Sequence, residues 1–269
     1  PTDLWLPATE LTRPIEAQQV DLGFVTTPKK GWLFSIDGYY KKLDNLIQYK
    51  EGTSFLMAAT DWQERITVGQ GWAYGAEVFL EKKVGKWTGW GSYTLSWSER
   101  QFEDLNQGRR FFHRYDQRHN LSIALTYAHN KKWDFGMVFV YGTGNALTLP
   151  TQSFSSSSHE LVSSIQSWGG VYDYTWDLSS FDEMNGYRMP SYHRLDLSAN
   201  RTKDKKHGTS ILSFSIYNVY NRQNPFMLYP GRNSEGNPAL MQVALFPIIP
   251  SISWKFKFDL TSYKKARHE

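Results

Sequence analysis

The chain has 269 residues, 40% hydrophobic and 16% aromatic, with no cysteine, which excludes disulfide frameworks and thiolate metal sites. Thirty basic residues stand against 26 acidic ones for a net charge of +4, and no long basic helix accompanies them, so nucleic acid is not expected as a partner. No apolar run approaches the ~18–20 residues of a transmembrane helix, and the opening "PTDLWLPATE" lacks the basic start and apolar core of a signal peptide; a mature product or a fragment is expected.

Taken in chain order, short segments alternate between apolar and polar residues, the period of a strand. The first is "QVDLGF" (19–24). In "WLFSIDGYYK" (32–41), Trp32, Phe34, Ile36 and Tyr40 oppose Ser35, Asp37, Tyr39 and Lys41. In "WAYGAEVFL" (72–80), Trp72, Tyr74, Val78 and Leu80 oppose Ala73, Gly75 and Glu77. "GSYTLSW" (91–97) comes next. In "LSIALTYA" (121–128), Leu121, Ile123, Leu125 and Tyr127 oppose Ser122, Ala124, Thr126 and Ala128. "FGMVFVY" (135–141), "RLDLSAN" (194–200), "LSFSIYNV" (212–219) and "SISWKFKF" (251–258) complete about nine strands, with no convincing helix.

Connections alternate between short and long. Segments 26–31, 82–86, 129–132 and 203–208 are short and each carries lysine, while 49–70, 98–116, 143–189 and 222–247 are long. A soluble sandwich has no reason to place every tight turn at one end; a transmembrane barrel does, with turns on the periplasmic side and loops outside. On that reading Trp254, Phe256, Leu125, Ile123 and Phe214 face lipid, and Lys255, Lys257, Ser122, Thr126 and Ser213 face the lumen. A secreted β-sandwich with a carbohydrate-binding aromatic face is the soluble rival.

The longest loop holds a Ser-rich stretch, "SFSSSSHELVSS", then "SWGGVYDYTWDLSSFDEMNGYR", ending at Arg188. Trp168, Tyr172, Tyr174 and Trp176, set among Asp173, Asp177, Asp182 and Glu183, are candidates to stack on sugar rings or flat chelates or to grip a cation; packing of the loop on itself is the alternative. "RRFFHRYDQRH" gathers Arg109, Arg110, Arg114, Arg118, His113 and His119, which would attract an anionic solute unless acids such as Asp104 and Asp116 neutralise them. The ligand-binding candidates are therefore Trp168, Tyr172, Tyr174, Trp176, Arg188, Arg109 and Arg110. Gly142 and Gly144 in "YGTGNALTLP" are read as a bulge that turns a strand into its loop, against close approach of a plug or a ligand to a wall without side chains. Ser191, His193 and Asp196 do not share a face and orient no triad. The "HE" at 159–160 lacks a second histidine for zinc. No catalytic residue, metal site or cofactor is expected.

The phrases "GWAYGAEVFLEKKVGKWTGWGSYTLSWSER" (71–100), "RYDQRHNLSIALTYA" (114–128), "VYGTGNALTLP" (140–150), "FSIYNVYNRQNPF" (214–226) and "FPIIPSISWKFKF" (246–258) resemble the C-terminal barrel portion of TonB-dependent outer-membrane receptors, with a Bacteroidota flavour. The resemblance implies an all-β antiparallel transmembrane barrel of 22 strands around a plug, of which this chain supplies roughly the last nine. It places residues 1–258 in the barrel and 259–269, "DLTSYKKARHE" from Asp259, in a tail past the strand that ends at Phe258. It implies TonB-dependent import of an extracellular solute across the outer membrane of a Gram-negative bacterium. The implied partners are outer-membrane lipid and lipopolysaccharide, the remaining barrel and plug, TonB through an N-terminal part absent from this sequence, and surface lipoprotein or envelope-complex subunits. The alternative role is a receptor-like barrel serving as an assembly partner in an envelope complex. Half a wall has open edges that lipid cannot satisfy, so the remainder is expected in another chain or a longer gene product.

Overall fold

The computed structural model describes residues 8–50, 62–149, 152–157 and 175–259. Among them runs a sheet with nine strands in one unbroken antiparallel path, in sequence order: β1 Glu16–Thr26, β2 Trp32–Tyr49, β3 Ile66–Lys82, β4 Trp87–Phe102, β5 His119–Ala128, β6 Trp133–Gly142, β7 Tyr192–Lys205, β8 Gly208–Tyr217 and β9 Ile249–Phe258. Each strand pairs with the next, the simplest route for a chain whose connections do not cross. All nine expected strands are present, several of them longer than their alternation indicated. β2 runs to Tyr49 and β3 begins at Ile66, so their connection is shorter than the expected 49–70.

Register puts the alternation of each strand in phase with its neighbours. One row reads Phe24, Ile36, Val78, Tyr93, Leu121 and Tyr141 across β1 to β6, and another reads Leu125, Met137, Leu197 and Ile216 across β5 to β8. The opposite face carries Asp37 beside Glu77, Ser92 beside Ser122, and Ser198 beside Ser215. A slip of one residue in any strand would reverse that strand's faces, so nine strands in phase specify one apolar and one mainly polar surface.

Aromatic rings bracket the apolar face. Toward the loop end Tyr40, Tyr74 and Trp97 stack in a row, with centroids 6.3 and 5.3 Å apart. Toward the turn end Trp87 stacks on Tyr127 at 4.6 Å and Trp133 on Phe135 at 6.3 Å. The stretch from Trp87 to Trp97, at ~3.4 Å per residue and a tilt of ~40°, rises ~26 Å, close to the ~25 Å apolar band of an outer-membrane barrel. No layer among the described residues covers this face: Ile252 is 71% exposed and Leu22 81%. No helix among those residues is long and apolar enough to cross a membrane.

The turns explain the lysine-rich end. Asn130 accepts from the backbone N–H groups of Lys132 and Trp133 and closes the β5–β6 turn. Gly31, at φ 78°, lies under Val84, where any Cβ would collide, so two neighbouring turns interlock. The β7–β8 turn is tighter than the expected 203–208, since strand extends to Lys205 and resumes at Gly208.

The long loops carry strands that alternation did not reveal. Phe111–Phe112 extends β4 laterally, Ala146–Leu147 pairs with Tyr187–Arg188, Gln152–Ser157 with Thr175–Ser180, and Met227–Arg232 with Pro238–Val243. The Ser-rich segment read as aperiodic loop is thus partly strand. Gly142 is not a bulge: its pairing with Asn120 and Tyr192 continues the register without a shift. Gly144 instead lies against the backbone of Met189, where a Cβ would overlap the carbonyl, so the close approach is by the chain's own returning segment. The register shift lies in β2 between Leu43 and Leu46, where Asn45 has φ 61°.

The core is correspondingly small and sits beneath the loops. Phe102, Leu105 and Phe111 form it, with Leu46 and Met184 packed around.

Candidate functional site

Loop order is organised around Asp116, whose side chain is 1% exposed. Its Oδ1 accepts the backbone N–H of Ser98 at 2.6 Å, and its other oxygen takes a charge-assisted bond from Arg188 and lies 3.5 Å from Arg118. Arg188 also donates to the carbonyls of Asp116 at 2.6 Å and Gly144 at 3.2 Å. Both guanidiniums lie over Phe112, at 5.0 and 5.3 Å, and Arg118 lies 4.4 Å from the Trp97 ring. One carboxylate therefore fastens the 103–118 and 143–191 connections to the top of β4.

The other expected arginines separate. Arg110 stacks on Trp72 at 3.8 Å with Glu99 at 3.9 Å, on the apolar side of the wall above the aromatic belt. Arg109 donates to the carbonyls of Asn106 at 3.4 Å and Asp182 at 3.5 Å. Asp104 pairs with Lys50 at 3.5 Å. His119 bonds the Tyr93 hydroxyl, and His193 that of Tyr220. Trp168, Tyr172 and Tyr174 lie outside the described residues; Trp176 falls in Thr175–Ser180, opposite Ser156. Arg109, Arg110 and Arg188 are thus not brought together at one place.

A cavity of about 580 Å³ opens among the loops, bounded by β2 and segments 111–115, 145–148, 184–189 and 226–228. This volume suits a small-molecule site. Its walls are tied: Asn185, at φ 54°, donates to the Phe112 carbonyl at 2.8 Å and through its N–H to Thr148 at 2.9 Å, and Met184 N–H donates to Asn106 at 3.0 Å. His113 and Arg114 line it. Burial lowers the His113 pKa from its ordinary value, and the charges of Arg100 and Arg114 lower it further. The apolar lining includes Phe226 and Met227, 64% and 48% exposed. Alternation could not reveal this lining, because its segments are far apart in sequence; the apolar "NPFMLYP" inside a loop was the available signal.

The final loop is clasped by asparagines. Asn218, fully buried, donates to the carbonyls of Arg222 and Phe246 at 2.9 and 3.1 Å, and its N–H donates to Asp196 at 2.9 Å. Asn224 exchanges two 3.0 Å bonds with the His193 backbone. These bonds account for "NVYNRQN" and place Phe226 and Met227 at the cavity.

The family model described as "TonB dependent receptor-like, beta-barrel" matches residues 2–221. Among solved structures, the ferripyoverdine receptor of the outer membrane of Pseudomonas aeruginosa, bound to ferripyoverdine, is similar with a TM-score of 0.51 at 12% identity. That likeness is of fold; it covers 91% of this chain and 27% of the receptor, so the chain spans a minor part of that protein's length. No curated protein matches the sequence.

Proposed function

The chain belongs to the TonB-dependent receptor-like β-barrel family, and from that premise we propose that it forms wall and loops of an outer-membrane receptor that imports an extracellular solute. The observation that carries this reading is the in-phase, two-faced wall, belted by aromatics, with a tied cavity at its loop end. Lipid covers the apolar face and lipopolysaccharide the rim beyond Tyr40, Tyr74 and Trp97. The free edges of β1 and β9 pair with further strands, since unpaired backbone groups are costly in hydrocarbon. A plug fills the lumen, and the Phe79–Trp90 stack, 6.2 Å apart on the mainly polar inner face, supplies it with an aromatic foothold. TonB acts through the plug, and Trp168, Tyr172, Tyr174 and Trp176 are the residues that bind the solute.

The experiment is uptake by cells carrying the full-length receptor, with and without TonB, using a solute found by affinity screening. Binding that persists while uptake stops on loss of TonB is the expected result. Uptake that continues without TonB would reject energy coupling. Removing both Trp168 and Trp176 should weaken solute binding at unchanged barrel melting.

A further inference from the structure

Resting on the receptor reading, we infer that the loop-end cavity takes an anionic solute with a flat or apolar body, its acidic group held by Arg114 with His113 beside it and its body lying on Phe226 and Met227. Three features converge. Among the described residues no carboxylate lines the cavity. Asp116, beside the cavity, is already engaged by Arg118 and Arg188 and is 1% exposed. Arg114 is exposed, touches the Tyr115 ring at 5.0 Å, and has no ion pair among the described residues.

Arg100, half-buried on the inner face of β4, donates to its neighbour Glu99's carbonyl and adds a second cation near His113. Among the described residues the cavity lining therefore presents positive charge beside apolar side chains that remain open to solvent. A neutral apolar solute would leave that charge unanswered, and a cation would meet it as repulsion. An acid on an apolar body satisfies both halves of the lining: charge-assisted bonds to the guanidinium fork, and burial of Phe226 and Met227.

The test uses the intact receptor in phosphatidylcholine nanodiscs, with empty discs subtracted. It is titrated by fluorescence anisotropy with 5-carboxyfluorescein and with rhodamine 123, a cation on the same xanthene skeleton. Carboxyfluorescein should bind at least about tenfold more tightly, as one charge-assisted bond implies. Arg114→Ala should remove about that preference, Arg114→Lys should restore most of it, and Phe226→Ser should weaken both dyes. Equal binding of the two dyes, or carboxyfluorescein affinity untouched by Arg114→Ala, would overturn the inference. TonB-dependent uptake of another solute by the same cells would then leave the receptor reading standing, so the two failures are distinguishable.

Discussion

Asp116 joins segments that are far apart in the chain: it and Arg188 are 72 positions apart, and Ser98 belongs to a third segment. Losing the carboxylate would leave two arginines partly buried without their partner, a cost on the order of 3 kcal/mol. Asp116→Ala is therefore expected to free the loops while the wall holds, seen as faster proteolysis within 103–118 and 181–191 with unchanged amide exchange in β5 and β6. Unchanged cutting would show that the loops are ordered by something else. His113 sets a pH dependence. Its folded-state pKa lies below the ordinary value of about 6.5, so the unfolded chain binds more protons and stability falls as pH drops through that value. Amide protection factors in 111–116, corrected for the intrinsic pH dependence of exchange, should fall below about pH 6.5 in the parent and much less in His113→Gln. These roles were not legible from sequence: "RRFFHRYDQRH" marked charge, but which arginine meets a carboxylate, a tryptophan or a cavity is decided by contacts across the fold.

Individual strands were legible because period two is a local property of a few residues. Leu121, Ile123 and Leu125 could be assigned to one face without knowing their neighbours, and register sets them beside Tyr141, Phe139 and Met137. The ends of strands were harder. β2 continues past Lys41 through a register shift at Asn45, and β3 contains Gly69 and Gly71, so alternation faded before pairing did. Gly144 shows the same limit: its sequence suggested a bulge, but the partner that makes glycine necessary is Met189, which returns from the far end of a loop. At this scale the faces predict unequal costs. Leu125→Arg puts a charge on the apolar face near mid-band and should destabilise by about 2–4 kcal/mol in refolding titrations into lipid, whereas Thr126→Arg, on the mainly polar face, should cost much less. Equal costs would reject the assignment of faces.

At the scale of the molecule, the sheet's shape decides what it is for. Its buried side chains gather under the loops, and the long reach of β1 to β9 has neither a second layer nor a closed edge among the described residues. Such a wall is stable when hydrocarbon covers one face, a filled lumen the other, and further strands the edges. The central claim is that lipid lies against the Leu121, Ile123 and Leu125 side. It can be measured by spin-label accessibility along β5 in the full-length receptor in lipid, with single cysteines introduced at 121 to 126; this stretch of 269 residues contains no native cysteine. Labels at 121, 123 and 125 should be relaxed by oxygen and shielded from a water-soluble nickel reagent, with the reverse at 122, 124 and 126. Accessibility that does not alternate, or that alternates in the opposite phase, would contradict the account.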